Sequence, residues 1–380
     1  MALQRSTEWC SAGSSCRKGA TSGTGPDLSQ GGEDMPMLER KQDLETWLGA
    51  QAGAQGVTVS DATPLTGGAI QENWKLTLEI DGGPYDGRLE VVLRTDAPSG
   101  VAVSLTRAQE FALLKAAEAA GVSVPEPLWL CQDQGVIGRP FYLMRFLPGV
   151  ALGPKVVKDE TLGGDREALA RQLGEEMARI HSIVPPRDDL AFLETPDGSP
   201  AEHAVRRYRS YLDELGESRP ALEWGLAWCA AQAPDPPAGG LVLVHQDFRT
   251  GNYMLNDKGL VAILDWEFCA WGDPMSDLGW FLAACWRFGR PDREAGGIGS
   301  REAFYEGYRR QSDREIDDEA VAYWEVMAHI RWAVIALQQG ARHSSGSQKS
   351  LELALTGRLI AGLERDILTL TSPERWSAAS

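Results

Sequence analysis

Apolar positions along the chain change their period several times, and each change marks an element. Leu38, Leu44, Trp47 and Leu48 fall on one face of a short helix that closes at Gly49 or between Gly53 and Gly56. Val57 to Ser60 reads as a strand, the pair Gly67-Gly68 precedes a β-type run to Ile80, and Leu89 to Arg94 reads as another strand. An Ala-rich helix from about Leu105 to Ala120 ends at Gly121. Val122 to Cys131 and Pro140 to Gly149 return to strand character, the second ending in a sharp Pro148-Gly149 turn. Helical spacing then takes over: Leu173, Met177 and Ile180, an amphipathic stretch from Ala201 to Leu215, and successive helices over Glu302 to Tyr308, Asp317 to Gln338 and Ser350 to Leu370.

A short β-rich stretch interrupts this helical region. Tyr253 to Leu255 and Leu260 to Leu264 flank the turn-rich Asn256-Asp257-Lys258-Gly259 and predict a hairpin. That hairpin gathers Asp247, Asn252, Asp265 and Glu267 on two short loops at the ends of apolar runs. Hard oxygen ligands of this kind suit magnesium, which usually shares its coordination with substrate phosphates. The run His245-x-Asp247-x-x-x-x-Asn252 has the form of the protein-kinase catalytic loop, and Asp265 falls where the kinase metal-binding Asp would sit.

With these residues the chain resembles the aminoglycoside phosphotransferase and choline kinase-like family of small-molecule kinases. The matching segments are Leu243 to Asn252, Ile263 to Glu267 and Gly272-Asp-Pro-Met-Ser-Asp277-Leu-Gly-Trp280, with looser matches from about Leu65 to Trp280. The resemblance implies an α+β, two-lobed protein-kinase-like fold, with a small β-rich nucleotide-binding N-lobe over residues 37–147. A larger, mostly helical C-lobe over 148–376 would carry catalysis and acceptor binding. It implies transfer of the γ-phosphoryl group of ATP, with Mg²⁺, to a hydroxyl of a small molecule.

The same resemblance assigns roles. Asp247 receives or orients the acceptor hydroxyl, Asn252 and Asp265 hold Mg²⁺, and Glu267 reaches a second ion directly or through water. Gly67 and Gly68 bring backbone N–H groups to phosphate oxygens. Arg94 stands where protein kinases carry a phosphate-binding Lys, with Glu110 as its partner. The backbone of Met144, Arg145, Phe146 and Leu147 reads adenine. His245 braces the catalytic loop, and Asp277 either ties that loop down from beneath or caps the next helix.

Three positions depart from the family pattern: Ile70 in place of a hydroxyl or amide residue, Arg94 in place of Lys, and Gln246 in place of Gly. The last is tolerable unless its backbone needs positive φ. These departures leave room for a nucleotide-binding pseudokinase acting as a sensor or scaffold; the intact Asp247, Asn252, Asp265 and Glu267 set argues for an enzyme. No Ala-Pro-Glu motif follows Asp265, which disfavours a protein kinase.

Composition narrows the partners. The 380 residues suffice for two packed lobes, and an apolar share of 43% is that of a globular protein. A net charge of -17 disfavours nucleic acid. It fits an acidic, solubilising surface, and also a cationic acceptor such as an amino sugar or amino alcohol. Macrolide-like sugars and hydroxylated acyl thioesters remain open as acceptors. Six cysteines without metal-ligand spacing suit free thiols in a cytoplasmic protein. No run of about 18 apolar residues predicts a membrane span. Residues 1–36 are rich in Ser and Gly and predict a disordered tail, with Met35 or Met37 as the start of the protein. His181 reads as a satisfied core histidine, while Trp224 and Trp228 read as core packing or as walls of an acceptor pocket.

Overall fold

The computed structural model describes residues 39–65, 71–96 and 105–376, so the expected tail and the Gly67, Gly68 and Ile70 positions lie outside the described residues. The chain divides into two compact units. In the smaller, helix α1 (Lys41–Ala52) stops at Gly53, whose left-handed backbone (φ 61°) suits a residue without a side chain. Strands β1 (Gly56–Leu65), β2 (Gln71–Asp81), β3 (Gly87–Asp96), β4 (Pro127–Cys131) and β5 (Phe141–Arg145) follow. They form one antiparallel sheet in the order β1-β2-β3-β5-β4.

The inward positions of the sheet, among them Val57, Val59, Leu76, Leu78, Val91, Leu93, Phe141 and Leu143, join Leu44 and Leu48 of α1 in one core. Each such side chain contributes about 1.5–3 kcal/mol by leaving water. The strand expected over Val122 to Cys131 begins only at Pro127. Pro125 and Pro127 have no N–H to give a ladder. The residues before them bond elsewhere: Ser123 N–H donates to Glu176 and Ser123 C=O accepts from Ile263 N–H.

Helix α2 (Arg107–Ala119) opens on a complete capping box between Thr106 and Gln109. It packs against the single-turn helices Asp188–Leu190 and Trp266–Phe268, and residues 105–126 therefore belong to the larger unit, although a boundary at 147 groups them with the sheet. The larger unit continues with α3 (Arg166–His181), α4 (Pro200–Leu215) and α5 (Pro220–Ala231). Two short ribbons come next, β6 (Val242–Val244) paired with β9 (Ala270–Gly272), and the hairpin β7 (Tyr253–Leu255) with β8 (Leu260–Ile263). Helices α6 (Pro274–Leu282), α7 (Arg301–Gln311), α8 (Asp318–Ser344), α9 (Leu351–Gly357) and α10 (Ile360–Leu370) complete it, so the helix expected over Ser350 to Leu370 is two.

By length and composition α8 is the one helix among the described residues able to cross a membrane, yet 83% of its apolar window is buried inside the unit. Glu325, His329 and Arg331 interrupt its run, which is why a search for unbroken apolar sequence passes over it. Trp224 is half exposed rather than core, its indole N–H bonded to Thr371, while Trp228 stacks on Tyr323. Cys131, Cys229, Cys269 and Cys285 are all free thiols.

Helices α3 and α7 cross at two glycines. A Cβ at Gly174 would run into the Phe304 carbonyl oxygen, and one at Gly307 into that of Arg171. Neither backbone can yield without parting the helices. Gly307→Ala is expected to lower unfolding free energy by about 1–3 kcal/mol, read from the shift of the urea midpoint.

Candidate active site

The loop between β6 and β7, residues 245–252, is held by one carboxylate. Asp277, in the first turn of α6, accepts the His245 N–H through Oδ2 (2.6 Å) and the Gln246 N–H through Oδ1 (2.8 Å). Two consecutive N–H groups converge on one anion only if the chain turns back on itself, and Gln246 accordingly has φ 60°. The position thus does need the positive φ that would make glycine the easier residue, and Gln246 is a strained substitute there. Asp277 also meets His181 Nε2 at 3.2 Å, and His181 Nδ1 meets the Tyr308 hydroxyl at 2.9 Å, so His181 is a satisfied core histidine.

His245 is fully buried and joins the two loops. Its Nδ1 accepts the Asp247 N–H (3.2 Å), which leaves Nε2 to donate to the Leu264 carbonyl (3.0 Å). The Leu264 N–H in turn donates to the Asn252 carbonyl (2.8 Å). Next to Leu264 stands Asp265 with φ 63° and ψ 65°, a second non-glycine residue in the left-handed region. Such conformations are costly and gather at functional sites. Glu267 follows in the turn Trp266–Phe268, half buried.

At the centre Asp247 is almost wholly buried, and both of its carboxylate oxygens are occupied by donors. Oδ1 accepts from Arg249 Nε (3.2 Å), and Oδ2 accepts from Asn252 Nδ2 (2.5 Å), which also reaches the Asp247 carbonyl (2.9 Å). Both partners of the Asn252 amide nitrogen are acceptors, so the orientation of that amide is dictated. Its Oδ1 is buried and has no hydrogen-bond partner. A buried carbonyl oxygen left this way costs free energy unless a donor or a hard cation takes it. Among the described residues no three His, Cys, Asp or Glu side chains come close enough to hold a metal by themselves. An ion here would rely on the Asn252 amide, the Asp265 carboxylate and oxygens from a ligand, the shared coordination usual for Mg²⁺.

Burial acts on the titrating groups in opposite ways. It lowers the affinity of His245 for a proton, and the nearby Asp277, Asp247 and Asp265 do not restore it. The same burial would raise the Asp277 carboxyl, but His181, His245 and the backbone donors outweigh it and hold Asp277 below the ordinary carboxylate range. Asp273, the N-cap of α6, lies above that range because burial prevails over its bonds to Met275 N–H and the Trp324 indole.

Among the nucleotide-side positions, Arg94 is partly buried on β3, in register with Asn73 of β2 and Tyr142 of β5. Met144 and Arg145 lie on β5 opposite Val92 and Val91. The Phe146 N–H donates to the Glu90 carbonyl (3.0 Å), so this backbone donor is committed to the sheet rather than free for adenine. Glu110 is buried and ion-paired with Arg107 at 2.6 Å.

Sequence reasoning passed over Arg249. Its guanidinium is 3% exposed, holds Asp247 and the Thr250 carbonyl, lies 4.7 Å from the Trp286 ring centroid, and keeps Nη2 without a partner. The signal was a cation two residues after Asp247 on the same loop.

A five-stranded antiparallel sheet, a mainly helical second unit and this loop define the class of kinase-like phosphotransferases. The chain belongs to the phosphotransferase enzyme family, whose model matches residues 61–313. It is similar to acyl-CoA dehydrogenase family member 10 of Mus musculus, 32% identical over 207 residues, which are 51% of this chain and 18% of that protein. The chain spans 18% to 35% of the length of the first acyl-CoA dehydrogenase relatives it matches. It is also 27% identical to 4-hydroxytryptamine kinase of Psilocybe cubensis over 326 residues, 77% of this chain and 85% of that one. Among solved structures, a candidate aminoglycoside phosphotransferase from Ralstonia eutropha superposes with a TM-score of 0.67 at 23% identity, covering 87% of this chain and 97% of the other. Spectinomycin phosphotransferase in complex with ADP and spectinomycin superposes at 0.59 and 14% identity, covering 87% and 98%. These solved structures bear on the fold alone.

Two outcomes follow from the loop. Gln246→Gly is expected to relieve about 1 kcal/mol of backbone strain, seen as a higher urea midpoint. His245 has a folded-state proton affinity below its unfolded one, so its contribution is complete above about pH 6.5 and is lost as pH falls. Urea midpoints of the wild type should therefore drop from about pH 7 to 5, and His245→Gln should flatten that decline.

Proposed function

We propose that this protein transfers the γ-phosphoryl group of ATP to a hydroxyl of a small molecule. The observation that carries this reading is the Asn252 amide, whose nitrogen clamps Asp247 while its buried oxygen stays unpartnered. Asp247 receives the acceptor hydroxyl at its carboxylate, and Asn252 and Arg249 keep that carboxylate from rotating. Such catalysis is mainly positioning and charge neutralisation, since phosphoryl transfer asks little covalent chemistry of a protein. Asn252 Oδ1, Asp265 and Glu267 would hold Mg²⁺, which would supply neutralisation of the phosphate charge. The nucleotide contacts we assign are Gly67, Gly68 and Arg94, with Glu110 as the partner that positions Arg94, and backbone groups of Met144, Arg145 and Leu147 with the carbonyl of Phe146. ADP in the spectinomycin phosphotransferase structure supports a nucleotide in this fold.

The complete Asp247, Asn252 and Asp265 set gives the pseudokinase reading no support. Thiols outside disulfides at Cys131, Cys229, Cys269 and Cys285 suit a cytoplasmic setting.

A coupled ADP-release screen with Mg-ATP over amino sugars, amino alcohols, sugars and hydroxy acids tests the reading, with Asp247→Asn as the blank. At least one acceptor should release ADP above that blank. With it, Asn252→Ala should lower kcat by roughly 10²–10³-fold while the far-UV dichroism stays that of the folded wild type. Equal release by wild type and blank with every acceptor would remove the phosphotransferase assignment.

A further inference from the structure

The Asp247 carboxylate is gripped from two sides, and the two grips differ in build. Asn252 is a short side chain whose amide nitrogen meets two acceptors of Asp247 itself, so its orientation is settled at the contact. Arg249 is long and its hold is thin. Nε reaches Asp247 Oδ1 at 3.2 Å, Nη1 reaches the Thr250 carbonyl at 3.2 Å, and Nη2 has no partner. A guanidinium that met the carboxylate with its fork would be fixed in plane by two parallel bonds. A single bond through Nε does not fix that plane, so another contact must.

An aromatic face supplies it. The Arg249 guanidinium carbon lies 4.7 Å from the Trp286 ring centroid, inside the range of cation–π attraction, and both side chains are buried, where that attraction is least screened. The indole N–H of Trp286 has no hydrogen-bond partner, so packing alone orients the ring. Trp280 of α6 (4.9 Å between centroids) and Trp332 of α8 (5.1 Å) provide that packing. An indole that only filled space would have apolar neighbours on every side, whereas this one turns a face to a buried cation.

We propose that Trp286 is a positioning residue for phosphoryl transfer: its face sets the plane of Arg249, and Arg249 sets the Oδ1 side of the Asp247 carboxylate. The proposal rests on the phosphotransferase reading and adds to it a residue that acts on Asp247 through Arg249. One stretch of chain then controls the loop twice. Asp277, in the first turn of α6, fixes the loop backbone, and Trp286, in the single-turn helix Ala284–Trp286 just past α6, fixes the carboxylate that the loop carries. Backbone and side chain are held by separate contacts and can be disturbed separately.

The test uses the full chain with Mg-ATP and an acceptor that releases ADP above the Asp247→Asn blank. Trp286→Leu removes the aromatic face, and Trp286→Phe keeps a smaller one. Trp286→Leu should lower kcat by about tenfold and Trp286→Phe by about threefold, with KM for ATP and acceptor within about twofold of wild type. Arg249→Met should cost at least as much as Trp286→Leu. Both Trp286 substitutions shrink a core side chain and lower the urea midpoint whatever the ring does for catalysis, so a double-mutant cycle on folded enzyme decides. In the Arg249→Met background neither Trp286 substitution should change kcat by more than about 1.5-fold, because the cation through which the ring acts is gone. Should Trp286→Leu not fold, the Trp286→Phe cycle decides alone. An undiminished kcat, a loss in KM instead, or equal losses in both backgrounds would overturn the proposal and leave the phosphotransferase reading intact. If no acceptor releases ADP above the blank, that reading falls. Crystal structures of wild type and the folded Trp286 variant then still decide the contact: a guanidinium turned away from Asp247 upholds it, and an unmoved one sinks it.

Discussion

One carboxylate holds the loop of residues 245–252 in shape. Asp277 takes the N–H groups of two successive residues and a ring nitrogen of a core histidine, so a buried negative charge is shared among donors from three positions in the chain. Burying an unpaired carboxylate is expensive, and these bonds make it tolerable. The geometry they impose then propagates: Gln246 is forced into the left-handed region, His245 turns one nitrogen to Asp247 and the other to Leu264, and Asp265 follows in a second strained turn. The loop stores strain in its backbone and is kept in place by hydrogen bonds from below.

Within that frame Asp247 is restrained rather than activated. Its two oxygens are fixed by Arg249 and Asn252, and the amide that fixes one of them keeps a bare oxygen. A single side chain therefore couples the orientation of the carboxylate to the occupancy of the neighbouring ligand position, because turning the amide over would break both arrangements at once.

Much of this was legible in the sequence because it depends on short-range spacing. The His245, Asp247 and Asn252 interval and the hairpin chemistry of Asn256 to Gly259 are local properties, and the hairpin appears with strands within a residue of the expected bounds. The sheet and the helices were readable from period for the same reason. What escaped depends on contacts distant in sequence. Nothing local tells that Gln246 needs positive φ, since the cause is Asp277, 31 residues on. Prolines at 125 and 127 were visible, but not that Ser123 would find its partners in Glu176 and Ile263. Trp224 and Trp228 share a helical face, while one pocket of the larger unit is lined by Trp271, Trp280 and Trp324, which come together only through tertiary packing. Net charge is a sum over the whole sequence and carries no information on a particular concavity.

Helix α8 serves two masters. Val326, Ile330, Ala333 and Val334 are buried in the unit, while Trp324, Met327, Ala328 and Arg331 of the same helix face the pocket. Residues that shape that pocket alternate along one rod with residues that hold the interior together. Change in the shape of that pocket is consequently channelled toward swaps that keep side-chain volume, or toward the flanking segments, and drastic retooling of this wall would require compensating change elsewhere in the interior.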